Sequence, residues 1–418
     1  SALHQHVQNN SSLNENETSK KTLLDSIIAQ NDDRALREML ELSCNRSECW
    51  YDTTPMHSCD EPDLAPNQED SVEDVLEYSL ESIIRRNKTD LLRSLLSITK
   101  GRIPIHSQPL IQAARLGREE CASILLSKQD GDSTILFLKD DDHDGNTALH
   151  CCCGQSGEKE MVLVLLKQVA GNTKGKRQQL AKLVTARNKK LQTPLHLACE
   201  SGRNDLVEVF LTTCKSSLLF KILSMEDVEH QTPLLTAVGN NAFDVVVSLL
   251  MWRGNHDHQR QKQSEDYSIY SIATDGYTNN SSSSSKMERR KVHAKAQKST
   301  CPLVWAAKSG NLDMIDLLIQ FGDQSGNVYR IAKALFVLLR SDAPAETKLK
   351  GSELLVLAGA NPFEEIDFSG APSGKKETAI GVAARAVPNE IIRSIISTAM
   401  RKIADRQLAR RRDPVLQQ

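Results

Sequence analysis

The stretch Thr193-Pro194-Leu195-His196-Leu197-Ala198-Cys199, followed by Gly202 and the apolar pairs Leu206-Val207 and Phe210-Leu211, constrains this chain most, because its offsets recur. Thr232-Pro233-Leu234 leads to Ala237, Asn241, Val245-Val246 and Leu249-Leu250. Cys301-Pro302-Leu303 leads to Ala306-Ala307, Gly310, Met314-Ile315 and Leu318-Ile319. A spacing that persists while the intervening residues vary is the mark of a stacked repeat. Each position has a physical task. Thr193 suits a helix N-cap, and Pro194 suits the first turn, where its missing N–H leaves no donor unsatisfied. Leu195, Ala198 and Cys199 share one face of a short helix whose small residues admit a close neighbour. Gly202 supplies the permissive backbone of a turn. Leu206, Val207, Phe210 and Leu211 form the inward face of a second, antiparallel helix.

The same offsets recur in weaker form. Pro109-Leu110, Ala113-Ala114, Gly117, Cys121-Ala122 and Leu125-Leu126 match without a gap, and Thr147-Ala148-Leu149-His150, Cys152-Cys153, Gly157 and Leu165-Leu166 match with one extra residue. Leu24, Ile27-Ile28, Asn31, Ala35-Leu36 and Met39-Leu40 fit, as do Leu80, Ile83-Ile84, Asn87, Leu91-Leu92 and Leu95-Leu96. Thr378-Ala379-Ile380, Ala383-Ala384, Ile391-Ile392 and Ile395-Ile396 keep the apolar pattern but put Val387-Pro388 at the turn. A further copy is expected between Tyr329 and Pro362, with a first helix from about Arg330 to Leu339 and a longer connection. The pattern resembles the ankyrin repeat. That resemblance implies an all-α solenoid of about nine helix-turn-helix units over roughly residues 20–400, with long inter-repeat insertions and atypical capping units.

Composition narrows the setting. The formal charge of −2 gives no whole-molecule field favouring nucleic acid or an acidic membrane, and 4% aromatic content suits a core of Leu, Ile, Val and Ala. Five of the 10 cysteines, Cys121, Cys152, Cys153, Cys199 and Cys301, fall where the repeat wants a small or apolar residue, a place suited to a buried free thiol. With no apolar run long enough for a signal peptide or membrane span, the expected location is cytoplasmic or nuclear. The chain begins at Ser1 instead of Met, which leaves its native N-terminus open.

The segments outside the periodicity are read as a disordered tail (1–19), a loop (41–74), a disordered basic and Ser-rich insertion (254–299) and a basic tail (401–418). The insertion joins the run Ser281 to Ser285 to Lys286, Arg289, Arg290, Lys291, Lys295 and Lys298. A second basic stretch holds Lys174, Lys176, Arg177, Lys182, Arg187, Lys189 and Lys190. Neither interleaves aromatics, so neither offers a stacking platform for single-stranded nucleic acid. Cys44, Cys49, His57 and Cys59 are chemically competent zinc ligands, but their spacing matches no familiar zinc knuckle. Asp140, Asp142, Asp144 and Gly145 imitate the start of a calcium loop, yet Cys151 stands where the bidentate Glu belongs. No metal or cofactor is expected.

No phosphate-binding loop, metalloprotease helix or nucleophile elbow is present, and Cys151 in the run Cys151-Cys152-Cys153 has no base assigned to it. The chain therefore reads as a non-enzymatic, monomeric scaffold. By resemblance to the ankyrin family, His196 is structural, and partner proteins bind a concave face made of turn tips and outward residues of each first helix. Carried onto this sequence, those residues are Gln112, Arg115, Leu116, Cys151, Gln192, Leu197, Glu200, Ser201, Gln231, Thr236, Asn240, Trp305, Lys308 and Ser309. Trp305 stands out as the kind of residue that dominates interface energetics. The alternative is a targeting adaptor whose basic insertion contacts nucleic acid or phosphoinositide while the groove holds an enzyme.

Overall fold

The turn between paired helices is set by one backbone position with positive φ. Gly117, Gly202 and Gly310 occupy it at 65°, 69° and 68°, and Asn31, Asn87 and Asn241 occupy the same place at 60°, 54° and 55°. Glycine has no Cβ to clash there, and asparagine tolerates the left-handed region better than other side chains. At Gly202 the helix end closes as a Schellman motif: the Arg203 N–H donates to the Ala198 carbonyl at 3.1 Å and the Gly202 N–H to Cys199 at 3.3 Å. Lys88 to Ile83, Arg118 to Ala113, Ala242 to Ala237 and Asn311 to Ala306 repeat the outer bond.

The computed structural model describes residues 17–44, 72–99, 108–127, 136–140, 144–154, 158–169, 171, 173–260, 301–321, 328–367 and 376–412. The chain divides into two compact units, Ser1–Lys189 and Lys190–Gln418.

The first unit pairs α1 (Glu17–Gln30) with α2 (Asp33–Cys44), α3 (Val72–Arg85) with α4 (Thr89–Ile98), α5 (Pro109–Arg115) with α6 (Glu119–Ser127), and α7 (Ala148–Cys153) with α8 (Lys159–Val169). First helices pack on first helices, α1 on α3, α3 on α5 and α5 on α7, while α2, α4, α6 and α8 form a second row. Leu24, Ile27, Ile83, Leu91, Leu110, Cys121, Leu149 and Leu165 are buried between the rows. At α3 the polar contacts reach back to α1: Tyr78 and Ser82 hydroxyls donate to Asp25 at 2.8 and 2.7 Å.

In the second unit the first row is α10 (Pro194–Glu200), α13 (Pro233–Gly239), α15 (Pro302–Ser309), α17 (Val328–Arg340) and α19 (Ala379–Ala386). Their partners are α11 (Asn204–Thr213), α14 (Phe243–Arg260), α16 (Leu312–Gln320), α18 (Ala345–Ala358) and α20 (Asn389–Arg412). Contacts link α10 to α13, α13 to α15, α15 to α17 and α17 to α19. Phe210, Val245, Met314, Phe336, Leu355 and Ile395 are buried in this core. A two-stranded antiparallel hairpin, β1 (Glu365–Asp367) with β2 (Lys376–Thr378), leads into α19.

Several expectations are corrected. The repeat pattern has no place for α9 (Lys174–Val184) or α12 (Ser216–Leu223), yet both form. Helix α9 turns part of the basic stretch into a helix whose Leu183 and Val184 are buried, with Thr173 accepting from the Lys176 N–H at its N-cap. Helix α12 buries Leu219 and Ile222 and sets Phe220 with its ring centroid 5.5 Å from that of Trp252. The helix expected to stop near 254 continues to Arg260, and the one expected to give way to a tail at 401 continues to Arg412. The connection after α17 is short, residues 341–344, because α18 begins at Ala345. Gly351 lets α18 approach closely: a Cβ there would stand 2.6 Å from Leu338 Cδ2 and 3.0 Å from Leu312 Cδ2.

Candidate functional site

The candidate surface is the solvent side of the first-row helices, and in the second unit it begins with a histidine that ties two turns together. The Thr193 N–H donates to His196 Nδ1 at 3.1 Å. An amide can only donate, so Nδ1 accepts and the proton sits on Nε2, which donates to the Gln231 carbonyl at 3.1 Å. The Thr193 hydroxyl oxygen lies 2.8 Å from the same Nδ1. His196 and Thr193 are fully buried. The histidine thus satisfies groups at the start of α10 and in the turn before α13, and it fixes the register between consecutive turns. Thr147 and His150 repeat the first half of this arrangement at 3.2 Å in the first unit.

The expected contact residues divide into exposed and engaged groups. Glu200, Asn240, Lys308 and Ser309 are exposed, and Leu197, Ser201, Gln231 and Trp305 are half-buried. Thr236 is corrected: it is 4% exposed, and its hydroxyl donates to the Thr232 carbonyl at 3.2 Å, so it offers a partner nothing. Gln192 is also buried, its amide donating to Glu200 at 3.2 Å. Ser201 spends its hydroxyl on the Leu197 carbonyl at 2.8 Å, and Ser309 on that of Ala306 at 3.0 Å. The Asn240 amide donates to Thr236 at 3.0 Å and the Gln231 amide to Glu229 at 2.8 Å.

Trp305 is held edge-on by the preceding repeat. Its Nε1 lies 3.1 Å from the point where a Cβ on Gly239 would stand, so the missing side chain at the end of α13 makes room for the indole. Lys308, one turn along α15, places its ammonium 5.7 Å from the ring centroid, within cation–π range. Sequence reasoning named Trp305 and Lys308 as candidates but not Gly239, since the offsets give no reason for a glycine there.

The first unit carries Gln112, Arg115, Leu116 and Cys151. Leu116 is exposed and the other three are half-buried. Arg115 is paired with Asp140, whose carboxylate is almost completely buried. The residue that opened the apparent calcium loop is therefore turned to an arginine, and its N–H is spent on the Asn146 carbonyl at 2.9 Å. Asp142 lies outside the described residues, as do Cys49, His57, Cys59 and the side chain of Cys44. The insertion residues Lys286, Arg289, Arg290, Lys291, Lys295 and Lys298 lie outside them as well.

Burial pushes the Cys151 thiol up, an effect only partly offset by the Arg115 guanidinium beside it. Burial alone raises Cys199 strongly and Cys214 to about 12. Among the described residues, Cys121, Cys152, Cys153, Cys199, Cys214 and Cys301 are buried and Cys151 is half-buried. No helix among the described residues is long and apolar enough to cross a membrane.

Loop tips in the second unit add features that the repeat pattern did not flag. Leu191 and His230 hold positive φ values of 58° and 61° before Thr193 and Thr232. The Val228 N–H donates to the Lys190 carbonyl at 3.0 Å, and both Leu191 and Val228 are exposed.

A model of the family described as ankyrin repeats matches residues 80–178 and 168–262. Among solved structures, the chain is similar to the ankyrin repeat domain of Bcl-3, described as a unique member of the IkappaB protein family. That likeness has 20% identity and a TM-score of 0.40, and covers 69% of this chain and 97% of that one.

Proposed function

From the premise that the chain is an ankyrin-repeat protein, we propose that it is a non-enzymatic scaffold that holds a protein partner against its first-row helices. The observation that carries this reading is the Trp305 anchor. The ring is half-exposed, braced by Gly239 and accompanied by the Lys308 ammonium at 5.7 Å. A large amphipathic side chain already held in place loses little conformational entropy on binding and brings apolar area to the contact. Within the second unit the proposed contact surface also includes Leu197, Glu200 and Asn240, and Lys308 stands beside the anchor. Thr236 and Gln192 are left out as buried. The raised Cys151 thiol favours binding over covalent chemistry there, and the buried thiols of the core suit the reducing cytoplasm or nucleus.

The test is affinity capture from cell extract with the intact chain and with a Trp305→Ala, Lys308→Ala double variant whose circular dichroism matches the parent. The expected result is loss of a discrete protein partner. An unchanged set of captured proteins removes Trp305 from the binding face and overturns the reading.

A further inference from the structure

We draw no further inference here: the strongest candidate, the exposed apolar stripe of Ile396, Met400 and Ile403 on α20, carries nothing because nothing among the described residues shows what covers it.

Discussion

The Trp305 indole rests against Gly239, its Nε1 3.1 Å from the position a Cβ would take on that glycine. The ring is therefore oriented by an absence in the preceding repeat. Gly239→Ala improves helix propensity by up to about 1 kcal/mol but forces the indole to move by a few tenths of an ångström. Stability should stay within about 1 kcal/mol of the parent while the environment of Trp305 changes. A fluorotryptophan NMR spectrum, with the Trp305 signal assigned by Trp305→Phe, checks this. An unmoved resonance would show that Gly239 does not set the ring.

His196 bridges Thr193 and Gln231 at 3.1 Å on each side. His196→Leu keeps the apolar bulk but strands the buried Thr193 amide, while the part-buried Gln231 carbonyl keeps the Asp227 N–H at 3.0 Å. The expected loss is about 1–3 kcal/mol, the penalty of stranding such a group. Urea unfolding measures it. Nitrogen NMR of the parent should in addition show the neutral Nε2–H tautomer, and the Nδ1–H form would contradict the bond assignment.

Gly202 and Gly310 have the same positive φ but different surroundings. A Cβ at Gly202 meets nothing closer than Ala242 Cβ at 3.8 Å, whereas at Gly310 it would stand 2.9 Å from Ala343 Cβ. Gly202→Ala should cost about 1 kcal/mol from the backbone alone, and Gly310→Ala more. Gly202→Asn should be milder than Gly202→Ala, because Asn241 already holds φ 55° at the matching place. Thermal melts of the three variants test the order.

Buried thiols give a pH dependence of definite sign. The folded-state value of Cys214 is raised to about 12 from 9.0, so the unfolded chain gives up that proton first. Its contribution to stability is complete below pH 9.0 and is lost as pH rises toward 12. Cys199 acts in the same direction. Denaturation midpoints should fall through this window, and Cys214→Ala should flatten the fall. Peptide-resolved alkylation near neutral pH should modify Cys199 and Cys214 only after unfolding, and rapid labelling of the native protein would contradict their burial.

The apolar pairs and the turn residues made the stacked helices readable. Leu206-Val207 and Phe210 point inward because a helix repeats every 3.6 residues, and Gly202 or Asn241 mark the turn because few other residues accept positive φ. The sequence pattern also placed Cys121, Cys152, Cys153 and Cys199 in the core, where they are. Helices α9 and α12 escaped it because a template of fixed offsets does not examine what lies between copies.

The candidate surface was less legible. Helical register placed Thr236 and Trp305 both outside the core pattern, and only the neighbouring repeat decided between them: Thr236 is covered, while Trp305 finds room over Gly239. Asp140, discounted as a calcium ligand from the sequence because Cys151 stands where the bidentate Glu belongs, is turned to Arg115, a pairing that the sequence alone did not indicate. Local periodicity dictates which residues face the core and where each turn falls, since those follow from backbone geometry within one repeat. Which outward residue stays free for a partner depends on side chains distant in sequence, and that selection is made only when the repeats stack.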